Sequence, residues 1–99
     1  MNPWAPDTTP HQKRRIGKSV EELGELLGVC GRLDIQAVDA IDPGTGKTNR
    51  QRLQEEIADV LAQLPLTIEA FRLDREFIAN RIATKQRQMH EWEAHYHVE

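Results

Sequence analysis

The chain has 99 residues, 38% of them hydrophobic and 29% charged, and a formal net charge of −3 at pH 7. That length allows one domain with a modest core, and the acidic balance argues against a nucleic-acid partner. No apolar run approaches the ~20 residues of a membrane span. The opening MNPWAPDTTP lacks the apolar centre of a secretion signal. Cys30 stands alone and cannot form an internal disulfide, so a cytoplasmic, reducing location is expected.

Residues 1–9 read as an extended, proline-rich tail, followed by a single helical domain over 10–95. Thr9 is the expected N-cap of a first helix, with Pro10 at its first position and Gln12 completing a capping box. The helix runs to about Leu33 on an apolar stripe of Ile16, Val20, Leu23, Leu27 and Cys30. Its basic run, HQKRR at 11–15, reads as a solvated face. Gly17, Gly24, Gly28 and Gly31 weaken it by up to ~1 kcal/mol each, which suggests close approach of a neighbouring helix or ligand, or partial unwinding near the end.

DIQAVDAI at 34–41 suggests a short extra helix, and DPGTGKT at 42–48 is a loop by composition. Thr48 and Gln51 repeat the capping box and open a second helix over about 49–72. Its stripe is Leu53, Ile57, Leu61, Leu64, Ile68 and Phe71, and Pro65 is expected to kink it. Asp74 caps a third helix bearing Ile78, Ile82, Met89 and Trp92, and the tail HYHVE is expected to fray. The predicted fold is all-α, an antiparallel bundle of three long helices plus a short one. Completing such a bundle across a dimer is the natural way to close its core.

Two segments place acids among aliphatics with the same spacing, EELGELL at 21–27 and EEIADVL at 55–61. With Leu23 centred on the first apolar face, Glu22 lies about 100° to one side and Glu25 about 160° to the same side. Glu56 and Asp59 take the same phases about Ile57. If the two helices pack antiparallel through their stripes, these i, i+3 pairs converge. Four converging carboxylates repel one another and lose hydration, so they need cations. Oxygen-only ligation suits Mg2+, with Mn2+ as a substitute, and magnesium held by few protein groups usually meets phosphate. The plainer alternative is a pair of solvated helix faces, with Lys18 pairing Glu22 at i, i+4.

Other metal patterns fail. A di-iron bundle needs two Glu-x-x-His motifs, and none occurs. His11, His90, His95 and His97 lack compact zinc spacing. Lys18 shares the side of Glu22 and Glu25. On the third helix, Lys85 falls within the apolar stripe, where it must snorkel or find an anion, and Arg81 is one turn away. These three are the candidate phosphate contacts. GTGKT at 44–48 is not a P-loop, because that pattern needs a glycine where Ile41 stands. Trp4 and Trp92 are candidates for stacking on a base, with core or interface packing the plainer role for Trp92.

Glu21-Glu22-Leu23-Gly24-Glu25 followed by Glu56-Ile57-Ala58-Asp59 resembles the signature of the MazG-like all-α nucleoside triphosphate pyrophosphohydrolases. The resemblance covers about residues 11–90. It implies a helical bundle, homodimeric or homotetrameric, that hydrolyses a nucleoside triphosphate between the α- and β-phosphates. By position it makes Glu22, Glu25, Glu56 and Asp59 metal ligands and Glu21 an outer carboxylate that orients the attacking water, so Glu21 and Glu22 are the expected catalytic pair. Lys85 would match a lysine that family members often carry on a late helix. The compact form looks like phage and bacterial members acting on deoxynucleotides, with dGTP or dATP as candidate substrates. The rival expectations are a non-catalytic helical interaction module and a nucleotide sensor that turns over poorly.

Overall fold

Thr9 and Thr48 open two helices in the same way. Each hydroxyl accepts from the backbone N–H of the glutamine three residues on, and that glutamine's side chain accepts from the threonine's own N–H, at 3.0 Å for Thr9 and 2.9 Å for Thr48. Two otherwise unpartnered donors are satisfied at each helix start. Helix α1 spans Pro10–Leu33 and α2 spans Asn49–Ala70, continuous across Pro65. Helix α3 spans Arg75–Tyr96, and its Phe77 N–H donates to Asp74 Oδ1 at 3.0 Å. These elements come from a computed structural model that describes residues 2–96. The fold is all-α, with no strand among the described residues. Of the tail expected to fray, His95 and Tyr96 are helical, and His97 lies outside the described residues.

The short helix expected at 34–41 is replaced by turns. Hydrogen bonds from the start of α2 hold the segment in this course. Asn49 N–H donates to Ala40 O at 3.0 Å and Arg50 N–H to Val38 O at 2.9 Å. Asn49, fully buried, donates through Nδ2 to Ala37 O and Gln36 Oε1. The segment therefore caps α2. Ile41 and Thr48 form an isolated antiparallel bridge that closes the loop between them.

Helices α1 and α2 pack antiparallel, and their seam is polar. Ser19 Oγ and Thr67 Oγ1 share a 2.8 Å hydrogen bond. Gln63 Nε2 donates to Arg15 O at 3.3 Å and to Thr67 Oγ1 at 3.4 Å, and Gln12 Nε2 donates to Ala70 O at 3.2 Å. Val29 and Val60 are the buried apolar residues of the described chain. The sequence places the aliphatic stripes inside, and here the structure corrects it. Ile16, Val20, Leu23 and Leu27 are exposed on α1, as are Ile57, Leu61 and Leu64 on α2.

The seam lies about 80° from each stripe, by the 100° turn per residue of an ideal helix. The offset has the same sense on both helices. In an antiparallel pair, that puts both stripes on one side of the hairpin. Small and hydrogen-bonding side chains occupy the contact, and the large aliphatics are left uncovered beside it. Helix α3 has no buried residue and does not pack along either α1 or α2.

Candidate metal centre

The 80° displacement of the seam is what gathers the acids. Glu22 and Glu56 lie about 20° from its centre and face each other, while Glu25 and Asp59 lie about 80° round on the side away from the aliphatics. One carboxylate oxygen from each of Glu22, Glu25, Glu56 and Asp59 lies within 4.8 Å of the other three. The two inner residues are partly buried and the two outer ones exposed. The pairs converge as expected, but beside the aliphatic stripes rather than through them.

Glu22 Oε2 and Glu56 Oε2 are buried and have no hydrogen-bond partner among the described residues. A buried carboxylate oxygen without a donor is costly, because its lost hydration is not replaced. The side chain of Glu22 is only 12% exposed, and its other oxygen takes Lys18 Nζ at 3.3 Å. Glu25 is held above its ordinary range. Loss of water around its carboxyl group contributes most, followed by the charge of Glu56 and a hydrogen bond shared with it. A hard divalent cation would answer these features, as a partner for the orphan oxygens, a countercharge to the carboxylates and an acceptor suited to oxygen ligands alone. The residues present fit Mg2+ or Mn2+.

Lys18 sits at the rim. Its ammonium also reaches Glu21 Oε2 at 3.3 Å, and the two glutamates raise its pKa, Glu21 foremost. The i, i+4 pairing of Lys18 with Glu22 is thus present together with the four-carboxylate set. Glu21 is exposed and stands outside that set. Arg81 and Lys85 line a groove along α3 with Ile82, Gln86, Met89 and His90. That helix is separate from the α1–α2 packing, so this groove and the acidic cluster belong to different parts of the chain.

In the loop, Lys47 of GTGKT is held by Glu55, Nζ to Oε1 at 2.9 Å, and Asp42 Oδ2 accepts from the Thr45 N–H and hydroxyl. Gly46 supplies the left-handed turn at φ 73°. Trp4 is 89% exposed, and Trp92 packs against Tyr96 with the rings tilted 45° and their centroids 4.8 Å apart.

The sequence reading overlooked Ser19, Gln63 and Thr67, whose hydrogen bonds join the two helices in the register that brings the acids together. Their signal was present as alternating three- and four-residue spacing, 12-15-19-22-26-29 on α1 and 49-53-56-60-63-67 on α2. That is the spacing of a helix–helix seam, and Glu22 and Glu56 fall within it. Comparison with known protein families, curated proteins and solved structures returns no match for this chain.

Proposed function

We propose that this chain is a magnesium-dependent hydrolase that cleaves a nucleoside or deoxynucleoside triphosphate between its α- and β-phosphates. The products are a monophosphate and pyrophosphate, and dGTP and dATP are the first substrates to try. The convergence of Glu22, Glu25, Glu56 and Asp59, with two buried oxygens left unpartnered, supports this reading most directly. The resemblance of the two acidic motifs to the MazG-like signature supports it independently of geometry.

Glu22, Glu25, Glu56 and Asp59 would hold the metal. When bound, magnesium would offset phosphate charge and lower the pKa of a water. Glu21, exposed on the same helix, orients the water that attacks the α-phosphorus as the bond to the leaving pyrophosphate oxygen breaks. Lys18 offers its ammonium to the phosphates at the rim, whereas Arg81 and Lys85 line a separate groove on α3. Cys30, an exposed free thiol, suits a reducing cytoplasm.

A panel of common ribo- and deoxyribonucleoside triphosphates, assayed for pyrophosphate with and without Mg2+, tests the proposal. Activity should need the metal and vanish in Glu56→Gln. Pyrophosphate release that survives that substitution would overturn the assignment of the site. The uncovered aliphatic side favours a second reading, a non-catalytic interaction module, which predicts a thermal stability indifferent to Mg2+.

A further inference from the structure

A triphosphate brought to four carboxylates needs cations besides the metal, and Lys18 is already shared between Glu21 and Glu22. With Arg81 and Lys85 on a separate part of the chain, the hairpin itself supplies the next pair. Arg32 follows Glu25 by seven residues on α1, and Arg52 precedes Asp59 by seven on α2. Seven residues advance an ideal helix by about 10.5 Å and return it to within about 20° of its starting phase. Because the helices run antiparallel, both steps lead the same way. The two arginines therefore stand on the side of the outer carboxylates, displaced toward the 34–48 loop. The same step toward the other end reaches Lys18 and Leu66, with Arg14 exposed a further turn out.

Their surroundings leave both arginines free to take an anion. At this end of the hairpin Lys47 is paired with Glu55, and Arg50 with Asp39. Arg32 and Arg52 are half-buried, yet neither forms an ion pair among the described residues. Asp42 is held below its ordinary range, first by the Thr45 hydroxyl and, among charges, by Arg52 and then Arg32. Both guanidinium groups thus stand near one common point without pairing there. Like charges brought together repel, and partial burial adds to the cost. A ligand carrying several negative charges would relieve both.

We propose that Arg32 and Arg52 bind the leaving pyrophosphate, holding the β- and γ-phosphates at the loop end of the carboxylate set. The inference rests on the hydrolase reading and deepens it by giving the triphosphate a direction. In-line displacement puts the attacking water and the leaving oxygen on opposite sides of the α-phosphorus. Glu21, which orients the water, stands a turn from Glu25 toward Lys18, and the arginines stand the other way. The water oxygen bonds to the α-phosphorus and its proton passes to solvent. The electron pair of the broken bond leaves on the bridging oxygen, with pyrophosphate. The guanidinium forks offset that charge through paired hydrogen bonds to phosphate oxygens.

Inorganic pyrophosphate and a deoxynucleoside monophosphate, each titrated by calorimetry into the full chain in Mg2+, test the assignment apart from turnover. Arg32→Ala and Arg52→Ala should each weaken pyrophosphate binding about tenfold or more and leave monophosphate binding unchanged. Arg52→Lys keeps the charge but loses the fork, and should recover only part of the loss. Helicity and the thermal gain from Mg2+ alone should match wild type in all three. Asp42→Asn removes the carboxylate that a purely loop-holding role would need, and should bind pyrophosphate at least as well as wild type. The proposal would be overturned by a wild-type chain that does not bind pyrophosphate, by binding that survives both alanine substitutions, or by an equal loss in Asp42→Asn. Pyrophosphate binding that needs both arginines, in a chain that turns over no triphosphate, would uphold the site and overturn the hydrolysis alone.

Discussion

Glu22 and Glu56 meet across the α1–α2 seam, each with one buried carboxylate oxygen that no donor reaches among the described residues. The hairpin carries this unfavourable pair at the middle of the α1–α2 contact. Without a cation, removing one charge should relieve it. Glu56→Gln should therefore melt at or above the wild-type temperature in a chelating buffer. In Mg2+ at a hundred times its Kd, wild type should gain about 2.7 kcal/mol, and the variant should gain almost none. Paired thermal melts with and without metal check both halves, and equal gains would remove these residues from the site.

Glu25 gives the metal-free chain a pH dependence of known sign. Unfolded, its carboxyl titrates near 4.5, and folded it titrates higher, first because the neighbouring protein displaces part of its water and then because Glu56 lies close. The folded chain holds that proton more tightly. Stability linked to Glu25 is thus full below about 4.5 and is lost as pH rises through the raised folded value. Urea midpoints in chelator should fall across this window, Glu25→Gln should flatten the fall, and Mg2+ should oppose it. Parallel profiles for wild type and variant would contradict the assignment.

Ser19 and Thr67 set the register that aligns the acids, and their two substitutions should not cost the same. Ser19→Ala removes one partner of the 2.8 Å bond, whereas Thr67→Val also strips Gln63 Nε2 of an acceptor. The expected losses are about 1 kcal/mol for Ser19→Ala and about 1–3 kcal/mol for Thr67→Val. The double variant should lose less than their sum, because the two share a bond. Thr67→Ser should recover most of the loss. Urea unfolding of the four variants measures all of this, and strict additivity would show that the bond contributes nothing.

Arg72 ends α2 in the left-handed region, at φ 50°, while Leu73 N–H reaches back to Ile68 O at 3.0 Å. Glycine takes that conformation without strain. Arg72→Gly should raise stability by up to about 1 kcal/mol, reduced by the greater freedom that glycine gives the unfolded chain. Equilibrium unfolding decides the sign, and a loss would mean that the arginine side chain has a role of its own.

The helices were legible because their signals are local. Thr9, Thr48 and Asp74 announce their caps within four residues, and α1 and α2 begin and end where the pattern places them, to within two residues. The four acids were legible too, since Glu22 and Glu25 repeat the phase of Glu56 and Asp59. The short helix expected at 34–41 is replaced by turns whose Ala37, Val38 and Ala40 carbonyls are bonded to the start of α2, a partner that no local pattern reveals.

The sequence by itself determined three long helices and one ordered set of carboxylates, since capping and periodicity act over a turn or two of chain. Only the tertiary structure decided which side of each helix meets the other. The pattern ranks sides by hydrophobicity and cannot say which neighbour claims each one. In this fold the hydrogen-bonding side, with Ser19, Gln63 and Thr67, takes the partner within the chain. That choice brings Glu22 against Glu56 and leaves Leu27 and Leu61 in the open.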